Sequence, residues 1–136
     1  GQLECLDAFI AAKKRIASRY VNGLQEIPGV TLPVNADWAE SVFWLYTIMI
    51  DAKQYGMNSR QLMEKLIGSG VQVRPFWHPI YSLKPYQDCY SHRIEVADKL
   101  YQNGLSLPSS VGLCEADQDR VIKVIQECRK NNSEKA

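Results

Sequence analysis

Apolar positions recur at helical spacing along the first part of the chain. Between Gln2 and Ile27, the residues Leu3, Leu6, Ile10, Ala17, Tyr20 and Leu24 follow one another at steps of three, four, seven, three and four, and Phe9 and Ile16 widen the stripe. The spacing predicts one amphipathic helix of about 25 residues, ended by Pro28-Gly29. No Ser, Thr or Asp stands ahead of the first apolar residues as a cap, so the expectation is that the chain is entered partway down a helix.

Residues 42–50 (VFWLYTIMI) are aromatic and β-branched with no Gly or Pro, which predicts a strand. Both alternating sets are apolar, with Val42, Trp44, Tyr46, Ile48 and Ile50 on one face and Phe43, Leu45 and Met49 on the other. Both faces are therefore expected to be covered, one by helices and the other by a second layer or another polypeptide. Asn58 followed by Gln61 predicts a capping box, opening a helix whose stripe is Leu62, Met63, Leu66 and Ile67 and which Gly68-Ser69-Gly70 ends. Residues 71–74 predict a short strand closed by Pro75, and residues 76–90 a long aromatic loop carrying Pro79 and Pro85. Residues 94–103 predict a helix with Ile94, Ala97, Leu100 and Tyr101 inward and Gly104 as its stop. A brief strand over 105–107 precedes a last helix over 115–129, where Glu115, Asp117 and Asp119 sit at the positive end of the helix dipole.

This order predicts an α+β fold: an open-faced two-layer sandwich, a small mixed or antiparallel sheet of about three strands backed by helices and preceded by the long helix. Residues 1–27 are then a linking helix, 28–130 a small α+β domain, and 131–136 a polar tail expected to fray.

Composition narrows the function more by exclusion than by indication. A chain of 136 residues, 46% hydrophobic and 23% charged, has room for one compact domain. Its formal net charge of +1 is not the one-signed field that nucleic acid recruits. No run of apolar residues is long enough to span a membrane, and Gly1-Gln2-Leu3-Glu4 lacks the basic opening of an export signal, so no membrane partner and a soluble, cytoplasmic protein are expected. Cys5, Cys89, Cys114 and Cys128 form no CxxC and have no His at ligand spacing, which predicts reduced thiols and no structural zinc or other metal.

No glycine-rich phosphate loop and no GxSxG elbow occurs, and His78 and His92 are the only histidines. The densest polar and aromatic cluster is residues 74–81 (RPFWHPIY). There Arg74 could fork onto a carboxylate or phosphate, Trp77 and Tyr81 offer flat faces for a sugar or base, and His78 lies between them. Equally, the aromatics of a proline-stiffened loop could cap the sheet while Arg74 makes a surface ion pair. Ser109 and Ser110, on a strand-to-helix crossing, could bind a ligand or cap backbone groups. Most lysines, Lys13 and Lys14 among them, read as hydrated helix-face charges.

In order along the chain, Gly1-Gln2-Leu3-Glu4 with its long helix, residues 41–48 (SVFWLYTI), residues 73–78 (VRPFWH), Lys84-Pro85-Tyr86 and residues 107–113 (LPSSVGL) resemble the C-terminal part of DegT/DnrJ/StrS-type sugar aminotransferases. The resemblance runs from Gly1 to about Glu127. It implies the small domain of a fold-type-I, pyridoxal-phosphate-dependent transaminase that moves an amino group, commonly from glutamate, onto a nucleotide-linked keto-sugar. The sugar it implies is a UDP-linked N-acetyl keto-sugar, made for surface glycan or cell-envelope polysaccharide.

It also implies that the cofactor lysine and its neighbours lie in a larger N-terminal domain absent here. No catalytic residue then falls in this chain, which alone would be inactive, and the whole protein would be a homodimer. Carried over by position, Arg74, Trp77 and Tyr81 line the active-site mouth with His78 close by. Relatives often carry His where Tyr81 stands, and Cys114 replaces the usual hydroxyl cap of the last helix. Two rival readings remain at this stage: a free-standing binding or regulatory module holding a small anion on residues 74–81, and a small enzyme using His78 and Tyr81 as acid and base.

Overall fold

A computed structural model describes residues 1–133. A 3-10 turn at Gln2–Cys5 runs into helix α1 (Leu6–Leu24), followed by strands β1 (Val30–Thr31) and β2 (Tyr46–Ile50) and helices α2 (Ala52–Tyr55) and α3 (Ser59–Gly68). Strand β3 (Arg74–Pro75), helix α4 (Glu95–Asn103), strand β4 (Gly104–Leu107) and helix α5 (Glu115–Ser133) complete the order. The α+β class is as expected, with a fourth strand, β1, added at one edge. The sheet order is β1-β2-β4-β3 and every pairing is antiparallel.

The register follows from burial. Tyr46 lies opposite Leu107 and Ile48 opposite Leu105, so the buried set of β2 meets that of β4 on one face. Helices α1, α3 and α5 close over that face with Ile16, Tyr20, Leu24, Leu62, Leu66, Val121 and Ile125. Each such side chain contributes about 1.5–3 kcal/mol on burial. Three polar groups drawn inside are satisfied by backbone: Tyr20 Oη donates to the Pro108 carbonyl (2.8 Å), Tyr55 Oη to Ile125 (2.6 Å), and Gln118 Nε2 to Ile16 (2.6 Å), whereas the buried Tyr46 Oη has no partner among the described residues. At the surface, Arg19 on α1 forks onto Asp119 of α5 at 2.9 and 2.7 Å and reaches Glu115 at 2.9 Å.

The capping box forms as expected. The Asn58 side chain accepts from the N–H groups of Arg60 and Gln61, and Gln61 Oε1 accepts from the Asn58 N–H at 2.9 Å. Other expectations are corrected, among them the strand expected over 71–74, which the structure places at Arg74–Pro75. The strand expected over 42–50 begins only at Tyr46, because Phe43 adopts φ +48 and turns the chain, its N–H donating to Ser41 Oγ at 3.0 Å. Trp44 and Leu45 therefore leave the sheet and stand exposed, and the two-sided apolar pattern is a buried strand preceded by a surface turn. Helix α4 buries none of its residues: Ala97 and Leu100 face outward, while Ile94 and Tyr101 are half-buried. Its end is not a left-handed glycine stop. Gly104 has φ −79 and starts β4 directly, and glycine is needed there because a Cβ would lie 2.6 Å from the Leu100 carbonyl oxygen and 3.0 Å from Phe76 Cβ. The last helix continues past residue 129 to Ser133, and the rest of the expected tail, 134–136, lies outside the described residues.

The stripe of α1 divides in two. Ile16, Ala17, Tyr20 and Leu24 enter the core, whereas Leu3 (84% exposed), Leu6 and Phe9 have no covering layer among the described residues. No described helix is long and apolar enough to cross a membrane.

Candidate functional site

At the end of the sheet where β2 begins and β4 ends, a cleft of about 510 Å³ opens. It is set by three local features of the sequence. The Phe43 turn delivers Trp44, the Pro108 break after β4 delivers Ser109 and Ser110, and the first turns of α5 deliver Asp117 and Arg120. Lys13 enters from α1 and Arg74 from the edge strand β3.

Three of these lining groups are cationic and one is acidic. Arg120 Nη2 donates to the Ser69 carbonyl at 2.5 Å, fixing the guanidinium against the end of α3. Asp117 is engaged at the start of α5, where its carboxylate accepts from the Cys114 thiol at 3.1 Å and its N–H donates to that sulfur at 3.4 Å, so the thiol substitutes for a hydroxyl cap. Lys13 Nζ donates to the Trp44 carbonyl at 2.8 Å and makes a short bond to the Ser109 carbonyl. Burial lowers the proton affinity of that amine from its ordinary value. The reading of Lys13 as a hydrated helix-face charge is thereby corrected. The net lining charge suits an anionic group, and Trp44, 66% exposed, adds a flat aromatic wall.

The four residues singled out in the sequence divide between two places. Arg74 lines the cleft, and Trp77 stands beside it, its ring edge-on to Trp44 with centroids 6.0 Å apart. His78 and Tyr81 are fastened to α4 instead. The His78 ring packs on Tyr101 at 4.6 Å with its Nε2 3.0 Å from Tyr101 Oη, and the Arg60 guanidinium lies 4.8 Å over the Tyr101 ring. Tyr81 Oη donates a short bond to the Asp98 carboxylate, which, as the first of its causes, raises the phenol above its ordinary pKa. Sequence reasoning missed Trp44 and Arg120 as lining residues. Trp44 was hidden inside an apparent strand, and Arg120 is one charge on a charged helix face.

With this geometry in hand, the profile of the DegT/DnrJ/EryC1/StrS aminotransferase family matches residues 1–126. The chain belongs to this family. A GDP-perosamine synthase from Caulobacter vibrioides is 32% identical over 128 residues, 93% of this chain and 34% of that protein. The spore coat polysaccharide biosynthesis protein SpsC of Bacillus subtilis is 29% identical over 93% of the chain and 33% of its own length. Among solved structures, a DegT DnrJ EryC1 StrS aminotransferase from Brucella abortus superposes with a TM-score of 0.78 at 29% identity, covering 92% of this chain and 32% of that one. The chain thus spans about a third of the length of the family members it matches.

Family membership raises the question of pyridoxal phosphate, which needs a lysine amine free to condense with its aldehyde and an acidic partner for its ring nitrogen. The cleft residues do not fit that role. Its lysine is tied to two carbonyls, and its acid is engaged with Cys114 at the start of α5.

Proposed function

We propose that this chain is the C-terminal small domain of a pyridoxal-phosphate-dependent aminotransferase that moves an amino group, from glutamate, onto a nucleotide-linked keto-sugar destined for a surface or cell-envelope polysaccharide. The observation that carries the reading is one of proportion: the family profile covers residues 1–126, while the chain corresponds to about a third of its relatives. In this reading residues 1–27 are the helix linking the two domains, residues 28–130 form the small domain, and the lysine that holds the cofactor belongs to a preceding N-terminal domain. The uncovered apolar residues Leu3, Leu6, Phe9 and Trp44 support this, since together they expose surface that a lone soluble domain would bury.

The chain's own residues contribute to binding rather than to bond making. Arg74 would take a negatively charged part of the substrate, Trp77 with Trp44 would bracket an apolar or planar part, and His78 and Tyr81 would border the mouth from the α4 side. Two copies of the whole protein would assemble as a homodimer in the cytoplasm.

The test is to read the gene upstream of residue 1, express the whole open frame, and assay glutamate-dependent amination of nucleotide-linked keto-sugars. An in-phase frame carrying a further domain, whose product aminates such a sugar, supports the reading. A start codon immediately before the Gly1 codon, or a whole protein that aminates no nucleotide-linked keto-sugar, would overturn it.

A further inference from the structure

Lys13 stands in the one gap of the α1 stripe, the step of seven between Ile10 and Ala17, and so shares a face with the buried Ile16, Ala17 and Tyr20. A charge on a core-facing stripe needs a partner, and Lys13 finds two backbone carbonyls on segments far apart in sequence. Trp44 lies 31 residues away and Ser109 lies 96 away. Ser109 Oγ also donates to the Trp44 carbonyl at 3.4 Å, so the lysine closes a three-way junction between α1, the turn entering β2 and the turn leaving β4. The Trp44 indole above this junction is exposed and meets Trp77 edge-on.

We propose that Lys13 is a positioning residue: its amine clamps the carbonyls of Trp44 and Ser109 together and thereby holds the Trp44–Trp77 pair as one wall of the cleft, coupling α1 to that wall. This rests on the proposed function only in taking the cleft for a substrate site and α1 for the linking helix. A bend in that helix would then be felt at Trp44 before it reached the sheet. Methionine at position 13 would keep the apolar stem and lose both bonds, whereas arginine could restore them.

The experiment is nitrogen-15 NMR of the full 136-residue chain, following the indole N–H signals of Trp38, Trp44 and Trp77, each assigned by a Trp→Phe variant. In Lys13→Met the Trp44 and Trp77 signals should move or broaden together while that of Trp38 stays, and Lys13→Arg should return both toward their original positions. Tyr55→Phe, which loses a buried bond at the far side of the core, should leave all three in place. Unmoved Trp44 and Trp77 signals in Lys13→Met, or the same movement in Tyr55→Phe, would overturn the proposal. Should Lys13→Met not fold, the unsubstituted chain decides: through-space contacts from the Lys13 side-chain methylenes to Trp44 and Ser109 are expected, and their absence overturns it. None of these readouts depends on amino transfer, so the clamp can fail while the enzymatic reading stands, and the reverse.

Discussion

Tyr20 and Tyr46 stack in the core with ring centroids 4.9 Å apart, and both are fully buried, yet their hydroxyls differ. Tyr20 Oη donates to the Pro108 carbonyl, whereas Tyr46 Oη has no hydrogen-bond partner among the described residues. The same substitution should therefore act in opposite directions at neighbouring rings. Tyr20→Phe removes a bond and leaves a carbonyl without its donor, a loss of about 1–2 kcal/mol. Tyr46→Phe removes a hydroxyl whose unpaired burial costs about 1–3 kcal/mol and leaves only an atom-sized void, so it should stabilise by about 1 kcal/mol. In a chain of this size that corresponds to a rise in Tm of about 3–5 °C.

A second readout is alkaline. Burial pushes the Tyr46 phenol from its ordinary 10.0 up to about 12, and raises Tyr20 and Tyr55 in the same direction. A folded-state pKa above the unfolded one means that stability is fully present below pH 10 and is lost as pH climbs toward 12, at about 1.4 kcal/mol per pH unit for each buried tyrosine. Urea unfolding of the original chain and the two variants at pH 7 and through the alkaline range measures both effects. Tyr46→Phe should be the most stable at pH 7 and should lose stability more gently above pH 10. A Tyr46→Phe variant weaker than the original at pH 7, or one with an unchanged alkaline slope, would refute the reasoning.

Other outcomes follow from the same structure. Gly29 has φ +81, and a Cβ there would lie 2.4 Å from the Tyr55 nitrogen, so Gly29→Ala should cost about 3 kcal/mol or more in urea unfolding. Asn58→Ala opens the capping box and should cost about 1 kcal/mol, read the same way. The bond from Lys14 holds the Glu40 carboxyl below its ordinary pKa, and the bond from Arg19 does the same for Asp119. Depressed carboxylates stabilise above the ordinary carboxylate range and lose that contribution as pH falls through their folded values, so Arg19→Gln should flatten the acid limb of the stability profile, most visibly at low salt. In the whole enzyme, Arg74→Gln should raise KM for the nucleotide-linked substrate by about tenfold, from the loss of one charge-assisted contact.

Much of this fold was legible because local signals agreed with one another. The Asn58–Gln61 pair, the second half of the α1 stripe and the aromatic and β-branched composition of residues 46–50 each point to one element, and the core then follows. What was not legible turned on backbone geometry that side-chain character does not announce. A phenylalanine at positive φ shortened the expected strand, and β1, two residues between Gly29 and Pro33, is too short to carry a period. Helix α4 shows a helical pattern but is held by Tyr81–Asp98 and His78–Tyr101 contacts rather than by burial, which periodicity cannot distinguish. The site was half readable. Residues 74–81 stood out by composition, but which of them face the cleft depends on where α4 lies, and Lys13 was marked only by a missing apolar residue in a stripe.

The central claim, that these residues close over chemistry performed by another part of the same polypeptide, is tested most directly by locating the cofactor. The whole enzyme is loaded with pyridoxal phosphate, reduced with borohydride and digested, and the labelled lysine is identified by mass spectrometry. The account predicts a stoichiometric label on a lysine outside these 136 residues and none on Lys13 or any other lysine of this chain. A stoichiometric label on a lysine within the chain would contradict it.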